Sequence, residues 1–227
     1  MVAAKSRAGE PAGRRPDRLA AGLAGGFIIL LLASELVLSL PDESASASTV
    51  AQFYAEHRVF IIALQVVGFV AAGLLGAYAW RLRTVDRVVA GAGVLVALCA
   101  LAPGVITLVV AVVADPANPG PAGKWNALEP RGDDLLFVGI VVFAAAVAVR
   151  LGRDLPLLGV VAAVVALACL ARLILEGMGK GLGVLESVGP LGFVVLVGVM
   201  AVLSFRGIFE QRPRRMASSP AGRPRDT

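Results

Sequence analysis

The chain has 227 residues, of which 58% are hydrophobic and only 16% charged, and its mean hydropathy is +0.83. Soluble domains carry about 25% charge, so a soluble globular fold is excluded. The net charge of +5 sits in short segments between charge-free stretches and therefore reports membrane topology, not nucleic-acid binding.

Residues 1–18 are rich in Arg, Pro and Gly and cannot bury enough apolar surface to fold alone, which predicts a disordered basic tail. The tail leads into a first span, Leu19 to Leu40, too long for the roughly 7–15 residue apolar region of a cleaved signal peptide. Arg14-Arg15 is followed by Pro16-Asp17, so it reads as a topology anchor and not as a twin-arginine export signal. After a Pro41-Asp42-Glu43 start and a Ser/Ala run, Thr49 and Gln52 fit a capping box. Val50, Phe53, Tyr54 and His57 then share one helical face, which predicts a short interfacial helix in the first outer loop, leading into the second span, Val59 to Trp80.

The third span, Val88 to Val113, carries Pro103 at its middle, where a missing N–H predicts a kink. The second outer loop, Asp115 to Asp134, is punctuated by Pro and Gly and reads as turns; its Arg131-Gly132-Asp133 tripeptide reads as chance. The fourth span, Leu135 to Val149, is short, with Asp134 and Arg150 at its edges, and the fifth runs from Leu155 to Leu175. Gly177 to Gly183 lacks the Gly and Ser/Thr positions of a phosphate loop and reads as a mobile or re-entrant turn. The sixth span, Val188 to Phe209, precedes a second disordered basic tail, 210–227.

With the N-terminus inside, sixteen of the 21 basic residues fall on the inner side, in groups of five, three, two and six, and most acids fall outside. The expectation is an all-α polytopic protein of the bacterial cell membrane: six transmembrane helices over 19–209, both termini cytoplasmic, with the basic tails held against anionic lipid. Small residues at four-residue spacing, Gly22 and Gly26 or Ala72 and Gly76, predict close helix packing. Ala77–Leu82 is echoed in Ala146–Leu151, and Val96-Ala97-Leu98 in Val165-Ala166-Leu167 at the same offset, as a parallel duplication of the hairpins of spans two to three and four to five would produce.

Ionisable groups at membrane depth need a partner or a purpose. Glu35, Gln65 and Arg172, with Glu176 one turn above Arg172, fall at one depth in the outer leaflet. Three accounts stay open: a Glu35–Arg172 ion pair that fastens the bundle with Gln65 nearby, a small outward-facing cavity for a solute, ion or lipid headgroup, or separate snorkelling. One histidine, His57, excludes bis-histidine haem and His-x-x-x-His zinc, so no metal or cofactor is expected. Cys99 and Cys169 lie inside apolar stretches and read as packing residues. No catalytic motif stands out, and an enzyme is not expected.

The segment Pro41 through Arg83, with Phe53-Tyr54-Ala55-Glu56-His57-Arg58 and a span ending Trp80-Arg81-Leu82-Arg83, resembles a group of uncharacterised six-helix membrane proteins of actinobacteria. The resemblance implies fold and location, with no activity to carry over. The expected role is therefore a non-enzymatic accessory or structural membrane protein with a protein partner or as a homo-oligomer, the alternative being a small-solute or ion transporter or channel.

Overall fold

A computed structural model describes residues 17–35, 40–41, 45–179 and 185–209. The side chains of Glu35 and of 185–187 lie outside that description, as do most of both tails and Lys180 to Val184 of the third outer loop. Among the described residues eight α-helices follow one another: α1 Arg18–Glu35, α2 Ala47–Arg81, α3 Arg87–Cys99, α4 Leu101–Val113, α5 Gly120–Asn126, α6 Glu129–Leu151, α7 Pro156–Gly177 and α8 Leu185–Phe205. No strand occurs among the described residues. Five helical stretches are long and apolar enough to cross a membrane, α3 and α4 together forming one of them, and the shorter apolar α1 stands beside them. Helices satisfy their own backbone groups, which hydrocarbon demands of any spanning segment.

Each spanning helix packs on its neighbours in the sequence, and α1 returns to α8, so the six antiparallel spans close into a ring. Phe193 of α8 fills the middle, edge-on to Phe27 of α1 and Phe143 of α6 with ring centroids 6.0 Å apart in both pairs. Leu75, Tyr78, Val96 and Leu196 complete this core, all fully buried.

The Ser/Thr cluster before the second span does start a helix, one turn earlier than Thr49, with the Ser46 side chain accepting from the Thr49 N–H. This helix continues unbroken into the span and reaches 35 residues, about 52 Å at 1.5 Å per residue. Its first turns therefore stand clear of a hydrocarbon core about 30 Å thick. There Val50, Ala51 and Tyr54 bury themselves against Val110, Ala111 and Ala122 in a second, smaller core. The Arg58 guanidinium donates to the Ala114 carbonyl, satisfying the end of α4.

Two expectations need correction. The second outer loop is not only turns, since Gly120–Asn126 forms α5, whose Gly123 would place a Cβ 2.7 Å from that of Ala47. The fourth span is not short: α6 has 23 residues, because Glu129 to Asp134 are its first turns. Pro130 stands in the first turn, where its absent N–H is not missed. The third span breaks at Ala100, between α3 and α4, one turn before Pro103. Gly132, the middle of Arg131-Gly132-Asp133, is buried against the Pro103 backbone, where a Cβ would come within 3.1 Å.

One end of the ring carries Arg81, Arg83, Arg87, Arg150, Arg153 and Arg206. At this end the sequence echo acquires a physical meaning. Asp17 Oδ1 accepts from the Ala20 N–H and caps α1, while Asp17 Oδ2 pairs with Arg81 at 3.0 Å. Asp86 Oδ1 accepts from the Val88 and Val89 N–H groups and caps α3, while Asp86 Oδ2 pairs with Arg150 at 2.9 Å. Each pair is separated by 64 residues, and one shift of 69 residues (86 − 17 and 150 − 81) carries the first latch onto the second. The repeated unit is a helical hairpin closed on itself, α1–α2 and then α3/α4–α6, with α7–α8 as a third hairpin. The third begins on Leu155 and Pro156 without a side-chain cap.

Of the small residues expected to mediate packing, Gly26 and Gly76 face neighbouring helices, whereas Gly22 has nothing within 4 Å of its missing Cβ. Helix α3 comes close to α6 at Gly139, where a Cβ would stand 3.0 Å from the Val96 Cα. Gly139→Ala should lower stability by about 1–3 kcal/mol, while Gly22→Ala should be neutral or slightly stabilising. Thermal unfolding in detergent reads both, and equal effects would refute the close packing. Burial pushes the Asp86 pKa up, but hydrogen bonds from Val89, Arg150 and Val88 outweigh it and hold the carboxyl below its ordinary 3.8. A depressed folded-state pKa contributes stability above the ordinary value that is lost as pH falls below it. Asn caps a helix about as well as Asp, so Asp86→Asn should remove mainly the ion pair and cost about 0.5–1 kcal/mol near neutral pH, with the gap to wild type closing below about pH 4.

Candidate functional site

The residues expected to cluster divide between two places. Gln65 lies 16 positions from Arg81 along α2, and Arg172 lies 16 positions from Pro156 along α7. Both thus stand about 24 Å above the arginine-rich end, the common depth that the sequence suggests. Laterally they separate, because α7 packs on α6 and α8 while α2 packs on α1, α3, α4 and α5.

Arg172 is 5% exposed, and its charge is met by Asp134 of α6 at 3.0 Å and by Glu176, one turn on, at 2.9 Å. Its guanidinium also lies 3.9 Å over the ring of Phe137. Arg172 thus has Asp134 and Glu176 as partners among the described residues; the Glu35–Arg172 pair, one of the three accounts open from the sequence, falls outside them because the side chain of Glu35 is not described. The Arg172–Asp134 pair ties α6 to α7. Asp134, which the sequence marked only as the edge of a span, is the partner that was missed.

Gln65 belongs to a different feature, a cavity of about 440 Å³ between α1, α2, α4 and α6 on the side away from the arginines. Phe27, Leu31, Phe69 and Leu136 give it apolar walls, and its polar groups are Gln65, Thr107, Glu129, Asp133 and Ser34. Thr107 donates to Glu129 Oε1 at 3.3 Å. The Tyr54 hydroxyl is buried beside Thr107 and Glu129 and links the cavity to the smaller core. Among the described residues no basic side chain lines the cavity.

Room for this cavity comes from the break in the third span. Pro103 withdraws the N–H that would bond to the Cys99 carbonyl, and Ala100, Pro103 and Gly104 all line the wall. Gly104 matters by its lack of a side chain, as a Cβ there would stand 2.8 Å from the Phe69 ring and 3.0 Å from Gln65 Oε1. Glu129 and Asp133 lie four residues apart and so on one face of α6. Sequence reasoning missed them because the intervening Pro130 and Gly132 read as loop punctuation. Their i, i+4 spacing directly before a long apolar run was the available signal.

Among the described residues no cluster of His, Cys, Asp and Glu could hold a metal ion. A ring of apolar helices, five of its stretches long and apolar enough to cross a membrane, defines a multi-pass α-helical membrane protein. No family model, no curated protein and no solved structure matches the chain.

If Arg172 fastens α6 to α7, Arg172→Ala and Asp134→Ala should each destabilise the protein in detergent. The double variant should then lose less than the sum of the single losses, by about 1 kcal/mol. Strict additivity in thermal unfolding would show that the two groups do not couple.

Proposed function

We propose that the protein is a non-enzymatic, multi-pass protein of the bacterial cell membrane that binds a small cationic solute in the Gln65–Thr107–Glu129–Asp133 cavity, as a transporter or its binding component would. Of the two roles that the sequence leaves open, solute binding is favoured over an accessory role by a single observation. A cavity of ligand size has apolar walls, two acidic side chains on one face of α6 and, among the described residues, no Lys, Arg or His in its lining. The two acids stand side by side on one helix. This suits the holding of a cation better than acid–base catalysis, which needs groups on opposite faces of a substrate.

The broken α3–α4 span supports the same reading, since irregular backbone at membrane depth is tolerated where it lines a cavity. The arginine-rich end is proposed to face the cytoplasm, because cytoplasmic segments retain Lys and Arg. The cavity then opens toward the outer leaflet.

The test is thermal unfolding of the detergent-solubilised chain with tetramethylammonium, guanidinium or putrescine as probe. A ligand at about 100 times its Kd adds about 2.7 kcal/mol, equivalent to roughly 5–10 °C for a domain of this size. The shift should vanish in Glu129→Gln and Asp133→Asn and persist in Arg172→Lys. A shift unchanged by the two cavity variants, or no shift with any of these cations, would sink the proposal.

A further inference from the structure

The arginine-rich end holds a second cavity of about 440 Å³, which shares no lining residue with the first. It lies where the closed end of the first hairpin meets the end of α8, and the Asp17 N–H donates to the Ser204 carbonyl across this junction at 3.1 Å. Ala20, Leu82 and Phe209 give it a buried apolar floor. Its charged groups are Arg81, Arg83 and Asp17. Both oxygens of Asp17 are already engaged, Oδ1 by the Ala20 N–H and Oδ2 by Arg81. Arg83 makes no ion pair among the described residues, and its guanidinium lies 4.4 Å over the Trp80 ring. Among the described residues the lining thus carries one positive charge in excess of its acid. Trp80 is 57% exposed at the end of a membrane-spanning helix, the level at which amphipathic rings meet headgroups.

We infer that this cleft binds the phosphate of an anionic phospholipid headgroup. Arg83, held in place by its stack on Trp80, meets the phosphate together with the outer face of Arg81. The apolar floor and the indole take the glycerol backbone and the roots of the acyl chains. A free anion has no use for the apolar floor or the exposed indole, and this commits the site to a lipid. A defined pocket on the folded bundle also differs from the diffuse attraction of basic tails to a charged leaflet. The inference rests on the membrane-spanning fold and is independent of the solute cavity.

Native mass spectrometry of the full chain released from mild detergent provides the test, with phosphatidylglycerol, phosphatidylcholine and inorganic phosphate as probes. One phosphatidylglycerol should remain bound per chain where phosphatidylcholine does not, and millimolar inorganic phosphate should leave it in place. Arg83→Gln and Trp80→Leu, both at exposed positions, should each weaken retention about fivefold. Arg153→Gln, at the same end but outside the cleft, should leave it unchanged. Equal weakening by Arg153→Gln would mean diffuse surface charge, and displacement by inorganic phosphate would mean a free-anion site. Either result overturns the proposal, as does equal retention of phosphatidylcholine or an Arg83→Gln variant that binds like wild type.

Discussion

An aspartate with two tasks organises this bundle. A helix end leaves N–H groups without partners, and membrane proteins have few polar side chains available to meet them. Asp17 and Asp86 each give one oxygen to the helix that they begin and the other to the arginine that ends the same hairpin. One carboxylate thereby fixes where a helix starts, which helix returns beside it and the height at which the two are level. Exposed ion pairs contribute little energy on their own, and Arg81 and Arg150 are about half exposed. Their value lies in register. A stripe of Ala, Val and Leu is nearly indifferent to sliding, whereas a latch at a fixed separation is not.

The latch also explains which parts of the fold the sequence displayed and which it concealed. Long apolar runs and the placement of arginines exposed the spans, since hydrocarbon allows few alternatives. The echo of Ala77–Leu82 in Ala146–Leu151 was visible for the same reason, as both copies end on a latch arginine. The same 69-residue offset extends back to Asp17 and Asp86, which look like ordinary loop acids until their partners are seen. Glu129, Asp133 and Asp134 were hidden by Pro130 and Gly132. Proline and glycine break a helix interior, yet at a first turn the N–H is idle, and a glycine buried against Pro103 serves packing. Arg172 was correctly marked as needing a partner. Depth along a helix can be read from residue number, but the side of the bundle that a helix occupies cannot, so its partners Asp134 and Glu176 emerged only from the packing of α6 on α7.

The two ends of the ring differ in a way that bears on where a ligand can enter. At the arginine-rich end, capped starts and latched returns hold α1, α2, α3 and α6 level, so a guest there must fit a shallow cleft at the rim. At the other end, among the described residues, α2 is tied to α4 not by an aspartate–arginine pair but by Arg58, which donates to the Ala114 carbonyl. Pro103 interrupts the span, α2 rises past the hydrocarbon to build a separate small core with α4 and α5, and Gly104 leaves a gap beside Gln65 and Phe69. Packing alone would close such a gap with a larger side chain, because apolar residues fill space without electrostatic penalty. Here the gap is lined by Gln65, Thr107, Glu129 and Asp133, groups that apolar surroundings penalise unless something polar shares the space. A cation held there, as proposed, would be such a polar occupant. The proposed solute site thus falls in the irregular half of the bundle, and the latched half is the frame to which that half is attached.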